Sequence, residues 1–127
     1  VKILLDSHAF VWWDTGSHEI GPGGRDAIRD PDNQIFVSSA SIWEIAIKRR
    51  VGKIHFDRSL PGAVKANGFL ELPISGADAE AAGDLDWAHE DPFDRLLAAQ
   101  AARHGLTLAT ADSALLRLPG ISVLRLR

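Results

Sequence analysis

Five short apolar runs, each separated from the next by enough chain for one or two helices, constrain the fold of this sequence more than any other feature. They are Val1–Leu5, Gln34–Val37, Phe69–Ile74, Leu106–Ala109 and Ile121–Leu126. Each reads as a strand, the third weakened by Pro73, which lacks a backbone donor. Helical patterns occupy the intervals: Ser7–Trp13, Pro22–Arg29, Ser41–Arg50, Asp57–Asn67, Ser75–Leu85, Asp91–His104 and Asp112–Leu118. Strands alternating with helices form a parallel sheet covered on both faces, an α/β fold.

Local punctuation agrees with these boundaries. The stretch GSHEIGPGG ends the first helix, and Asp30-Pro31-Asp32-Asn33 is a run of strong turn formers. Ile42, Ile45, Ala46 and Val51 fall on or near one face of the third helix, whose end carries Lys48, Arg49 and Arg50, where the dipole favours cations. Asp91–His104 is the most regular helix: Pro92 sits where a first turn accepts it, LLAAQAA has high propensity, and Gly105 follows as a cap. No repeat or linker divides the chain. A length of 127 residues suits one domain with a proper core, so residues 1–127 read as a single domain.

Composition removes several classes of function. No apolar run approaches the roughly 18–20 residues of a membrane span, and Val1–Leu5 is too short for a signal peptide, so a cytoplasmic protein is expected. Zero cysteines exclude disulfides, zinc–thiolate centres and thiol nucleophiles, leaving oxygen and imidazole as metal ligands. The formal charge of −3 speaks against a passive nucleic-acid binder. If four of the 17 acids line a metal site, however, the other 13 face 14 bases, and two divalent cations would move the total from −3 to +1.

Four acids are placed for such a site. Asp6 ends the first strand, Glu44 lies on the helix after the second, Asp94 falls in the first turns of DPFDRLLAAQAARH, and Asp112 follows LTLAT by a short turn. In open parallel sheets the functional crevice lies beyond the carboxyl ends of the strands. If the first and fourth strands are neighbours, all four acids converge at one rim. Converging carboxylates either raise their pKa values or bind cations. Hard oxygen ligands without sulfur suit Mg²⁺ or Mn²⁺, the ions of phosphoryl chemistry.

Each of these residues also has a purely structural use. Asp6 and Asp112 are good helix N-caps, and Ser41-Ile42-Trp43-Glu44 matches a capping box. Asp91 and Asp94 sit where a helix N-terminus favours anions, and Asp91 is spaced to pair with Arg95. His8 and His89 are either structural or placed to orient substrate or water. Trp12, Trp13, Trp43 and Trp87 suit a core or an interface. Lys48, Arg49, Arg50 and Lys53 read as a solvated helix end or as a guide for RNA phosphates toward Glu44, one turn earlier.

The segments ILLDSHAFVWW, VSSASIWEIAIK, DPFDRLLAAQA and LATAD occur in this order and span the chain. Together they resemble PIN-domain proteins of the VapC kind, the ribonuclease toxins of toxin–antitoxin pairs. The resemblance implies an α/β/α sandwich with a five-stranded parallel sheet and endoribonuclease activity dependent on one or two Mg²⁺ or Mn²⁺ ions. It places the family's four acids on Asp6, Glu44, Asp94 and Asp112, with Asp91 as an outer helper and Ser7, Ser39 and Thr110 as flanking hydroxyls. On that reading Asp6, Asp94 and Asp112 bind metal, Glu44 ligates it or positions the attacking water, and in-line attack leaves 5′-phosphate and 3′-hydroxyl ends. The resemblance further implies a VapB-like antitoxin that covers the site, a homodimer, and transfer or ribosomal RNA as substrate.

A receiver-type phosphoacceptor domain shares the parallel sheet, the acidic rim and a threonine after strand four. It also needs a lysine beyond the start of the fifth strand, and no lysine follows Lys65. A catalytically silent PIN-like module that only binds RNA or acts as a scaffold is the remaining alternative. Its signature is metal binding without cleavage, and the intact acids speak against it.

Overall fold

The computed structural model describes residues 1–127. Strands β1 (Lys2–Leu5), β2 (Gln34–Ser38), β3 (Leu70–Leu72), β4 (Thr107–Thr110) and β5 (Val123–Arg125) form one sheet in the order β3-β2-β1-β4-β5. Every neighbouring pair is parallel. Helices α1 (Ser7–Asp14), α2 (Pro22–Arg29), α3 (Ser39–Arg50), α4 (Leu60–Ala66), α5 (Gly76–Asp84), α6 (Pro92–His104) and α7 (Ser113–Leu116) fill the connections. The chain therefore adopts the α/β architecture with a five-stranded parallel sheet that its alternating pattern requires.

Residues along β1 point alternately to the two faces, and both faces are buried. Ile3 and Leu5 join Phe10 of α1, Ile28 of α2, Ile45 of α3 and Val64 of α4 in the larger core. Leu4 joins Leu97 and Ala101 of α6 and Leu115 of α7 on the opposite side. Three layers result, with the central strand immobilised from above and below.

The strand order turns at β1: the chain first adds β2 and β3 on one side, then returns to place β4 on the other. Such a switch point opens a crevice at the strands' carboxyl ends. Leu5 is level with Ala109, and the Asp6 amide donates to the Ala109 carbonyl at 3.1 Å, so β1 and β4 leave the sheet side by side.

Several local expectations are corrected. Helix α3 begins at Ser39 with Ser38 as its cap, which puts Ser41 and Glu44 inside the helix, so no capping box forms there. The box belongs to Ser75 and Asp78 on α5. Helix α4 begins at Leu60, capped by the Ser59 hydroxyl, because residues before it form a loop whose Phe56 and Arg58 carbonyls accept bonds from Arg49. Arg95 forms no ion pair with Asp91. Its guanidinium instead donates to the carbonyls of Ala82, Gly83, Leu85, Trp87 and His89, tying the segment before α6 to that helix. No helix is long and apolar enough to cross a membrane.

Candidate metal centre

Each acid at the crevice is held by a local bond that also sets its direction. Asp6 caps α1: its Oδ1 accepts from the Ala9 amide at 2.8 Å and its Oδ2 from the Thr110 hydroxyl at 2.5 Å. The Thr110 oxygen in turn accepts from the Asp112 amide at 2.9 Å, which ties the ends of β1 and β4 together. Asp112 caps α7 through Oδ1, with Ala114 and Leu115 as donors. Asp91 caps α6 through Oδ1, with Phe93 and Asp94 as donors. Capping engages only Oδ1 of Asp91 and Asp112, so stabilising a helix end and facing the crevice are one geometry, not competing uses.

Glu44 reaches the same place from the second turn of α3. Its Oε1 accepts from the Ser7 hydroxyl at 2.5 Å, and its Oε2 lies 3.0 Å from Lys48 Nζ one turn on. Asp94 sits in the first turn of α6 with Oδ2 2.8 Å from His89 Nε2. The His89 ring rests against Trp87, centroid to centroid 4.7 Å.

These groups line a cleft of about 150 Å³ formed by Asp6, Ser7, His8, Glu44, Lys48, Asp91, Asp94 and Asp112, with no hydrophobic side chain among them. Five carboxylates thus share a small volume with one lysine. Burial pushes the Asp6 carboxyl up, with Asp112 adding repulsion, against the bonds from Thr110 and Ala9 and the nearby His8. Burial likewise pushes Asp94 up to about 6, reinforced by the charges of Asp91 and Asp112 and opposed by His89. Carboxylates in this state need a proton or a cation. His89, Asp91 and Asp94 each offer a ligand atom within 4.8 Å of the others. A donor set of carboxylate oxygens and one imidazole, without sulfur, fits a hard divalent cation such as Mg²⁺ or Mn²⁺.

Of the residues marked in the sequence, Asp6, Glu44, Asp94 and Asp112 come together, with Asp91 and Ser7 in the same cleft and Thr110 directly behind Asp6. Ser39 does not join them: its hydroxyl donates to Glu71 of β3 at 3.1 Å. Lys48 lines the cleft, whereas Arg49 is directed to the carbonyls of Phe56 and Arg58, and Arg50 and Lys53 are exposed. His89, which the sequence offers either as structural or as orienting substrate or water, contacts Asp94 directly. Its position just ahead of the DPFD turn was the available signal, since that turn folds the preceding segment back over the helix start.

The family model describing the PIN domain matches residues 3–121. Among solved structures, the fold is similar to VapBC2 from Rickettsia felis bound to a promoter DNA fragment, with a TM-score of 0.73 and 16% identity over 98% of each chain. It is similar also to DNA-bound VapBC from Salmonella typhimurium, with a TM-score of 0.70 and 17% identity over 100% of this chain and 99% of that one. A toxin–antitoxin complex from Klebsiella pneumoniae matches with a TM-score of 0.65 and 20% identity, covering 96% and 95% of the two chains. No curated protein matches the sequence. At these identities the likeness to the solved structures is one of fold.

Proposed function

Because the chain belongs to the PIN-domain family, we propose that it is a metal-dependent endoribonuclease of the VapC type, the toxin of a toxin–antitoxin pair acting in the cytoplasm. The observation that carries this reading is the convergence of five carboxylates at the switch point of the sheet, with Asp6 and Asp94 held in environments that oppose their charge. Carboxylates gathered at such cost without a cation are suited to hold one.

Asp6, Asp94 and Asp112 are assigned as the metal-holding groups, with Glu44, Asp91 and His89 at the edges of the same site. Mg²⁺ or Mn²⁺ bound there supplies neutralisation of phosphoryl charge and acidification of a coordinated water. The protein's own part is positional. Asp6 is fixed by Ala9 and Thr110, and Asp112 by its helix, so neither has to reorganise on loading. Glu44, oriented by Ser7 and Lys48, is assigned either to ligate the ion or to position the attacking water. His89 keeps Asp94 turned inward. In-line attack by water on the phosphorus of an RNA phosphodiester forms the new P–O bond as the P–O3′ bond breaks, and the departing 3′-oxygen takes up a proton, leaving 5′-phosphate and 3′-hydroxyl ends. Structured RNA, transfer or ribosomal, is the substrate class this reading adopts. The similar structures named above come from toxin–antitoxin assemblies, which supports a VapB-like antitoxin as partner.

Cleavage of total cellular RNA by the purified chain, free of antitoxin, with Mg²⁺, Mn²⁺ or EDTA, tests the proposal. Cuts that require metal, vanish in Asp94→Asn and carry 5′-phosphates are expected. Cuts that persist in EDTA or carry 2′,3′-cyclic phosphates would refute it, and metal binding without cleavage would mark a silent RNA-binding module.

A further inference from the structure

A second cleft, of about 340 Å³, adjoins the carboxylate centre and shares Asp6, His8 and Asp112 with it. The rest of its lining is Trp12, Ala111 and Arg127. Its size falls at the lower end of the roughly 300–1,000 Å³ of small-ligand sites. The two spaces have walls in common, so a strand bound at the carboxylates has a path into it.

Its outer wall has the opposite chemistry to the acids. His8 and Trp12 lie one helical turn apart on α1, with ring centroids 5.8 Å apart and planes inclined at 38°. The Arg127 guanidinium lies 5.2 Å from the centroid of the Trp12 ring. Trp12 also packs against the main core, which makes it a fixed platform. Arg127 pairs with Glu19, but both side chains are about half exposed, 55% and 47%, and a solvated pair of this kind yields readily to a phosphate.

The surrounding charges leave little alternative for gripping a polyanion here. Lys48 is engaged by Glu44 at 3.0 Å, and Arg49 is turned to backbone carbonyls. Arg127 is the one arginine among the residues lining the two clefts. A planar guanidinium beside two aromatic rings matches the two halves of a nucleotide: a phosphate that accepts paired hydrogen bonds and a base that stacks.

We propose that His8, Trp12 and Arg127 form a subsite for the nucleotide flanking the scissile phosphate, its base against the His8–Trp12 pair and its phosphate on Arg127. The subsite rests on the nuclease reading above and says how the RNA strand is held beside the centre. It selects an unpaired nucleotide, because a base inside a duplex has no free face to offer.

The test is binding of a short unstructured RNA oligonucleotide to the full chain, followed by fluorescence anisotropy with Ca²⁺ in place of Mg²⁺, alongside the RNA cleavage assay. Arg127→Gln and Trp12→Leu are each expected to weaken binding at least tenfold. Removing single bases from the RNA in turn should show one position whose loss weakens wild-type binding and leaves Trp12→Leu unaffected. Should Trp12→Leu fail to fold, Arg127→Gln and the base-removal series decide, because Arg127 is exposed and outside the core. Unchanged affinity in Arg127→Gln, or no sensitive base position, overturns the subsite while leaving intact any metal-dependent cleavage by the wild type. A wild-type chain that neither binds nor cuts RNA overturns both the subsite and the nuclease reading.

Discussion

Asp94 concentrates the cost of the site in one carboxyl. Its pKa is pushed up to about 6 from the usual 3.8, so in the cation-free protein its ionised form is less welcome folded than unfolded. That group therefore favours the fold below about pH 4, and the benefit is lost as pH rises through 6. Asp94→Asn removes the penalty: without divalent ions, the variant is expected to melt several degrees above wild type at pH 7.5 and level with it near pH 4. In the same variant cleavage should fall at least about 100-fold, the scale set by loss of a group that holds transition-state charge. A variant with wild-type melting and wild-type turnover would remove Asp94 from the centre. Ser41 gives a sharper sign. A capping box would make Ser41→Ala cost about 1 kcal/mol, but the Ser41 hydroxyl is buried without a partner. Ser41→Ala should therefore be neutral or stabilising by up to about 1 kcal/mol, read from denaturant midpoints at constant slope.

At the scale of elements, the residues that were hardest to read are those whose partners lie far away in sequence. Strand and helix alternation was legible because periodicity and punctuation are local, and so was the regular helix α6. Asp6 and Asp112 are legible as caps for the same reason, whereas Asp91, read as the first helical residue, is itself the cap of α6. That the caps also face one crevice depends on β1 and β4 being neighbours, a pairing across about a hundred residues that no local pattern encodes. The start of α3 was misplaced by two residues because Ser38, Ser39 and Ser41 are all competent caps, and the choice is made by Gln100 of α6, whose side chain accepts from the Ser38 hydroxyl at 2.6 Å. Gln100 also donates to Asp78, which lies buried in the first turn of α5 and bonds Arg103 and His104. Burial would push the Asp78 carboxyl up, but the Ser75 amide, Gln100, His104 and Arg103 together hold it well below the usual range. This network joins β2, α5 and α6, the elements behind the carboxylate centre. Asp78→Ala should destabilise the fold by about 1–3 kcal/mol, because it removes the capping-box acid of α5 and takes an acceptor from the buried Gln100 amide. A loss below about 0.5 kcal/mol in equilibrium unfolding would show that the network is ornamental to the fold.

For the molecule as a whole, the crevice couples folding, protons and cations through one set of charges. Five of the 17 acids line it together with Lys48, leaving 12 acids elsewhere against 13 of the 14 lysines and arginines, so the acidic total conceals a slightly basic remainder. A divalent ion that binds only the folded chain stabilises it by about 2.7 kcal/mol at a hundred times its dissociation constant. Protons compete for the same oxygens, because Asp6 and Asp94 are carboxyls of the cleft whose charged forms burial disfavours. At pH 7.5 a cation meets Asp94 already ionised. Below about 6 it must displace a proton, and its apparent affinity falls up to about tenfold per pH unit for each proton displaced. At a fixed Mg²⁺ concentration the rise in melting temperature should therefore be large at pH 7.5 and fade toward pH 5. In Asp94→Asn the rise should be smaller and nearly flat across that range, since the titrating ligand is gone. A wild-type rise that stays constant from pH 5 to 7.5 would place the cation away from Asp94. The centre would then have to be sought on the other carboxylates of the cleft.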